Sequence, residues 1–572
     1  MEVVRIICLY SASMAKVQST LPSLGIIFGV ILQLALIGQT EAQNLTDKEW
    51  WEDTIVYQIW PRSFQDSNGD GSGDLKGIIN DLDYFEELGV ETIWLNAIYP
   101  SPLKDSGYDV SDYESIDSIY GDLDDFDELI TAAHERGLKI ILDFIPNHSS
   151  IEHPWFNASI YRIDPYTDYY VWHNGTLNAT GSNVEPNNWK SVLSVDGTES
   201  AWEWNEIREE WYLHQFSTDE ADFDLRNEDV IQELLDVLYF WLDRGVDGFY
   251  INGVPYFLED ENFVDNPTDS STSTFGLVDN VELLYRFREH IDSWVSLNSN
   301  ETKFLVAEGF EDDENLIAYY GNDTSDGIAP VNTRFITDFT STSNASYIKS
   351  TIDAWISALP TNQTTNWKLS NQDYSRVATR FGLNRADGLN MFVLMLPGRV
   401  FTYYGEEIAM MDNEEITDPY RTPMQWDTTA QAGFTNGSSS YLPVNTNYAT
   451  RNAETQLASD RSNIKTYKAV AALRSTPTFI HGSYEIQALN NDRVLILRRS
   501  LDDYPTYILA VNLGLSKLTV NLTEVFSDLP TSLNISVTSA NAVLSGTTVT
   551  VEEFTLTANA AVILTDADVD GE

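Results

Sequence analysis

The chain has 572 residues, with 42% hydrophobic and 12% aromatic content, a globular composition with room for two to four domains at about 100–200 residues each. Its formal net charge of −55 argues against nucleic acid and anionic membrane surfaces as partners. The single cysteine, Cys8, excludes a disulfide framework, so the core must hold the fold.

In chain order, the first feature is the uncharged apolar run LPSLGIIFGVILQLALIG from Leu21 to Gly38, behind Arg5 and Lys16 and ahead of Thr40-Glu41-Ala42. It reads as a signal peptide over 1–42, cleaved near Ala42. Its length also suffices for a retained type II anchor, the one route by which a membrane enters as a partner. Sequons at Asn44, Asn157, Asn174, Asn178, Asn300, Asn322, Asn344, Asn362, Asn436, Asn521 and Asn534 point to the secretory pathway and to an extracellular glycoprotein. The carboxyl end, ANAAVILTDADVDGE, has no hydrophobic tail for a glycolipid anchor.

Next comes an alternation of β-branched runs and amphipathic stretches: TIVYQIW, LKGIINDLDYFEELG, VETIWLNAIY, FDELITAAHERG and LKIILDFIPNH. Strands followed by helices at this spacing predict parallel βαβ units. Within the first unit, DSNGDGSGD places Asp66, Asn68, Asp70 and Asp74 on a glycine-rich loop. Oxygen donors so spaced suit a hard cation such as Ca2+. The twelfth-position glutamate of an EF-hand is absent, and a glycine-rich turn with capping carboxylates is the competing reading.

The alternation breaks between about His148 and Asp222, a stretch rich in Trp, Tyr, Asn and Pro, and resumes with VIQELLDVLYFWLDRG and VDGFYIN. TKFLVAEGF and MFVLMLPGRVFTYYGEE continue it. Beyond about Thr476, RVLILRRS, TYILAVNL, KLTVNL, VTVEEFTL and AAVILTD read as an antiparallel β domain. There is no internal repeat and no low-complexity tract. The pattern predicts an α/β protein, a (β/α)8 barrel with an insertion after its third strand and a β domain at the end.

Catalytic groups of such barrels gather at the C-terminal ends of the strands. Asp109 in GYDVSDY, Asp143, Asn147 and His148 in DFIPNH, Glu308 in FLVAEGF and Asp373 in LSNQDYSR all stand where apolar runs end. Each alone reads as a cap or a solvated loop residue; their recurrence in this order does not. At these residues, and in VYQIWPRSF, GDLKGI, TYYGEE and RTPMQWD, the chain resembles the α-amylase family of glycoside hydrolases, from about Glu49 to the C-terminus. It is most similar to the maltase-type α-glucosidases of insects and to the related heavy subunits of amino-acid transporters. The resemblance implies a barrel domain A over 43–147 and 223–475, a domain B over 148–222 and a β-sandwich domain C over 476–572. It also strengthens the expectation of a structural Ca2+ on Asp66, Asn68, Asp70 and Asp74.

Retaining hydrolysis of α-glucosides uses a carboxylate nucleophile and a carboxylic acid/base about 5–5.5 Å apart. By resemblance, Glu308 matches the acid/base, Asp373 the aspartate that stabilises the transition state, and Asp109 and His148 the contacts to the sugar ring. The nucleophile position holds Asn252. Tyr250 stands where the family has an arginine, and Gln372 where it has a histidine, both counted among the sugar-binding positions. A neutral amide forms no stable glycosyl ester and cannot offset an oxocarbenium-like charge. Loss of hydrolysis is the expected outcome, leaving an α-glucoside sugar or a protein ligand as partner. An active α-glucosidase with a rearranged mechanism and a membrane-anchored transporter subunit are the alternatives.

Overall fold

The computed structural model describes residues 48–194, 197–267 and 271–567. The run at 21–38, the cleavage near Ala42 and the sequon at Asn44 lie outside them. Trp50–Glu572 form one compact unit.

Eight short strands build its centre: β1 (Ile55–Ile59), β2 (Thr92–Leu95), β3 (Lys139–Phe144), β4 (Gly248–Ile251), β5 (Phe304–Ala307), β6 (Ala329–Pro330), β7 (Asn366–Lys368) and β8 (Arg399–Tyr403). All pairings are parallel, in the order β6-β5-β4-β3-β2-β1-β8-β7. Parallel strands covered by crossovers are buried on both faces, which is why they read as apolar runs. The helix Leu123–Glu135 shows how a crossover is made: Asp122 and Asp125 form a reciprocal capping box, and Phe126, Leu129, Ile130 and Ala133 face the sheet. The run MFVLM belongs to the helix Leu383–Met395, buried from Arg385 onward, and the strand follows at Arg399.

The seam between β6 and β7 is closed by a side chain. Pro330 has no N–H to donate, and Asn366 bridges instead, its Nδ2 donating to the Pro330 carbonyl (2.7 Å) and its Oδ1 accepting from Asn332 N (2.8 Å).

Between β3 and β4 the chain leaves through His148–Ser150 and returns through Glu220–Asp222, paired antiparallel with Asp222 opposite His148. Residues between them form a three-stranded antiparallel sheet and a short hairpin. At the C-terminal end, six strands from Ser483–Leu489 to Ala561–Thr565 form one antiparallel sheet. The period of two along Val494–Ser500 assigns its faces. Leu495 and Leu497 join the main core, and Val494 and Ile496 join a separate core with Val520, Leu522 and Phe554.

The seam is testable. Asn366→Ala leaves a buried N–H and a buried carbonyl unpartnered, at about 1–3 kcal/mol for each lost partner. Scanning calorimetry is expected to show a Tm lower by several degrees, and an unchanged Tm would mean that the barrel does not depend on this bridge.

Candidate active site

Because successive residues of a strand point to opposite sides, Tyr250 on β4 faces the barrel interior while Phe249 and Ile251 face the helices. Asn252, two residues on, ends the strand with its backbone N–H donating to the Phe144 carbonyl (2.9 Å). Gly253 then turns the chain at φ +71, a left-handed value suited to glycine. Its N–H donates to Glu308 Oε2 (2.8 Å), which sets Glu308 beside Asn252.

A cavity of about 250 Å³ opens at these strand ends, lined by Asp105, Tyr108, Asn147, His148, Asn252, Gly253, Glu308, Gln372, Asp373 and Arg421, with Ile145, Leu193 and Phe216 as its apolar wall. Five of the expected residues, His148, Asn252, Glu308, Gln372 and Asp373, meet here. Asp373 is held by Arg421 (2.9 Å) and by Gln372 Nε2 (2.7 Å). His148 Nδ1 donates to Asn147 Oδ1 (2.9 Å), and the ring pairs with Glu220 (3.2 Å) across the insertion's neck. Asn252 is 9% exposed, and its Nδ2 is a buried donor without a partner at the cavity wall.

Two expected sugar contacts do not line it. Asp109 is fully buried and turns inward to its own loop, accepting from Ser101 Oγ (2.6 Å), Lys104 N (2.9 Å) and Asp105 N (3.0 Å). It shapes the loop, and Asp105, four residues earlier, reaches the cavity in its place. Tyr250 lies below the cavity, stacked on Trp94 with centroids 4.2 Å apart, its hydroxyl facing Glu308.

Asp105, Tyr108, Glu220, Arg421 and Lys368 escaped the sequence reading. For Arg421 the signal was present, as the first residue of RTPMQWD. Asp143 lies beneath the cavity, bonded by Trp94 Nε1 (2.6 Å), Tyr108 hydroxyl (2.8 Å) and Asn96 Nδ2 (3.3 Å).

Burial dominates the electrostatics. It pushes Glu308 up to about 7, against the Gly253 N–H bond and with the aid of Asp373 and Asp143. Burial and the Glu220 charge push Asp105 up to about 7. Burial lifts Asp143 to about 6 despite its three donors, and pulls the Lys368 ammonium down to about 8. His148 is opposed by burial but raised overall by Glu220.

The metal-loop residues lie apart, outside the cavity lining. Asp66 is buried and accepts from Asn68 N (3.0 Å), Gly69 N (2.7 Å), Gly71 N (2.7 Å) and Thr435 Oγ1 (2.5 Å), so all of its lone-pair positions are used. Asp74 caps the helix Leu75–Asn80 through Gly77 N (2.7 Å) and takes Ser67 N (3.0 Å) and Ser67 Oγ (2.9 Å) on its other oxygen. Asn68 and Asp70 are exposed and make successive side-chain turns. Among the described residues no group of three His, Cys, Asp or Glu side chains is arranged to hold a metal.

A parallel eight-stranded barrel with carboxyls in a cavity at its strand ends is an architecture that glycoside hydrolases use. Residues 58–482 match the family model described as alpha amylase, catalytic domain, and the chain belongs to the α-amylase family. It is 38% identical over 554 residues to Maltase A1 of Drosophila melanogaster, covering 89% of this chain and 94% of the relative. It is 35% identical over 524 residues to the human amino acid transporter heavy chain SLC3A1, covering 86% of this chain and 75% of that one. Among solved structures it is similar to the trehalulose synthase MutB from Pseudomonas mesoacidophila MX-45, with a TM-score of 0.80 and 26% identity, over 91% of this chain and all of that one.

Glu308, Asp105, Asp222, Glu259 and Glu406 are all held near 7 by burial, whereas in the unfolded chain such groups ionise at about 4. Between these values the folded state binds more protons, so stability is lost as pH rises through that window. Calorimetry is expected to give a higher Tm at about pH 5 than at about pH 7.5; the reverse order would mean that these carboxyls are ionised at little cost.

Proposed function

We propose that this chain is a secreted, maltase-like protein that binds an α-glucoside sugar in the cavity and does not hydrolyse it. The observation that carries the proposal is Asn252: a neutral amide at the end of β4, beside Glu308, with its Nδ2 donor unused at the cavity wall.

Retaining hydrolysis needs a carboxylate at that place to attack the anomeric carbon. Asn252 offers neither the charge nor a stable ester, and loss of a nucleophile that works within a coupled set costs roughly 10³–10⁶ in rate. A direct attack by water needs another free base. Asp373 is tied to Arg421 and Gln372, and Asp143 lies beneath the cavity with three donors on it. Recognition survives these losses. Glu308, Asp105 and Asp373 accept from hydroxyls, Arg421 and Asn252 donate, and Tyr108 and Phe216 offer ring faces to a pyranose.

Secretion rests on the apolar run at 21–38 and on the sequons. Of the ten sequon asparagines among the described residues, eight are exposed and Asn521 and Asn534 are half-buried, so none is closed to a glycan. No helix among the described residues is long and apolar enough to cross a membrane.

The decisive assay is glucose release from maltose and p-nitrophenyl α-glucoside by purified protein, beside a Glu308→Gln control, with calorimetry of maltose binding. The proposal predicts equal background rates for both proteins and a measurable heat of binding. Hydrolysis well above the Glu308→Gln control would make the chain an α-glucosidase. Silence in both assays would leave a protein ligand as its partner.

Ca2+ on the loop at 66–74 is a separate proposal, resting on the hard oxygens of Asn68, Asp70 and Asp74. Added Ca2+ is expected to raise Tm relative to chelator by several degrees, by preferential binding to the folded state. An identical Tm in both would remove the ion.

A further inference from the structure

An ammonium inside a barrel is costly unless something compensates its lost hydration. Lys368, on β7, is 1% exposed. Its Nζ lies 4.3 Å from the ring centroid of Trp94, 5.8 Å from that of Tyr250 and 6.0 Å from that of Phe401. Rings around an ammonium stabilise it through their quadrupoles, and more strongly when water is excluded.

The same two stacked rings face the carboxyls above. The Trp94 indole N–H bonds Asp143 (2.6 Å), and the Tyr250 hydroxyl faces Glu308. Acidic groups reach Lys368 from four sides: Asp143 on β3, Glu308 after β5, Asp373 after β7 and Glu406 after β8. Glu308 is faced in turn by Tyr256, Tyr319 and Tyr374.

A positive charge is therefore present beneath the site, although position 250 does not provide it. We infer that Lys368 is the positioning cation of this site, supplying from β7, by way of Trp94 and Tyr250, the charge that the family resemblance assigns to an arginine at 250. The substitution at 252, and not the one at 250, then silences hydrolysis. This rests on the reading that Asn252 blocks turnover.

The consequence is a one-step reversal. Asn252→Asp restores a carboxylate nucleophile over an existing cation, whereas introducing arginine at 250 would place a second cation near the first. Lys368 also draws the Glu308 proton equilibrium downward, so its removal moves the pH at which the general acid is lost upward.

The test measures kcat/KM for p-nitrophenyl α-glucoside as a function of pH for Asn252→Asp, alone and combined with Lys368→Met, Lys368→Arg or Tyr250→Arg. Asn252→Asp alone is expected to exceed the wild type by on the order of 10²-fold or more. Adding Lys368→Met is expected to cost about tenfold or more and to shift the basic limb of the profile to higher pH, with Lys368→Arg preserving both. A wild-type circular dichroism spectrum and a single cooperative thermal transition in the Lys368→Met protein separate this from misfolding.

The inference is overturned if Asn252→Asp/Lys368→Met keeps the rate and profile of Asn252→Asp. It is overturned equally if activity appears only with Tyr250→Arg, or in none of the variants. Each of those results leaves the proposed function intact. Hydrolysis by the wild type would defeat the proposed function, and Lys368→Met in that background would still test the lysine.

Discussion

The cost of taking carboxyl groups out of water governs this structure. Glu308, Asp143 and Asp105 are gathered at the strand ends or just beneath them, and burial lifts each above its ordinary range. Donors around them reduce that cost: the Gly253 N–H on Glu308, and the Trp94, Tyr108 and Asn96 donors on Asp143. A barrel can carry such a ring because its strands end together and its loops converge there. A neutral amide, Asn252, stands beside this ring at the same strand ends.

Seen this way, Asn252, Tyr250 and Lys368 form a single rearrangement. Replacing a carboxylate at 252 by an amide removes one negative charge from the ring, and a tyrosine at 250 introduces none beneath it. An aromatic residue at 250 stacks on Trp94 and turns a hydroxyl toward Glu308, while Lys368 places an ammonium against both rings. The site is electrostatically organised around an amide at 252. That combination suits the proposed recognition: hydroxyl acceptors and donors are oriented.

The barrel, its insertion and the final β region were legible because each has its own period: apolar runs between amphipathic helices, an interruption after the third strand, then alternating short strands. Glu308, Asp373 and His148 were legible because strand ends in order are a strong constraint, and Asn252 and Gln372 through the family resemblance; all five line one cavity. Asp109 was not, since two aspartates four residues apart in one loop have equal claims until the loop is folded. Its hydrogen bonds to Ser101, Lys104 and Asp105 then turn it inward. Tyr250 was counted among the sugar contacts by resemblance, although its alternation with Phe249 and Ile251 points it into the barrel. Lys368 gave no signal, because a lone lysine in NWKLSNQD reads as solvent-exposed and its partner Trp94 is far away in sequence.

The most direct test of the central claim, that no nucleophile attacks a bound α-glucoside here, is covalent trapping with a 5-fluoro-α-glucosyl fluoride followed by mass spectrometry of the intact protein and its peptides. The account predicts wild-type protein with no added mass and an unmodified peptide around Asn252. A fluoroglucosyl adduct on any carboxylate of the cavity would contradict it and would identify the residue that had been overlooked.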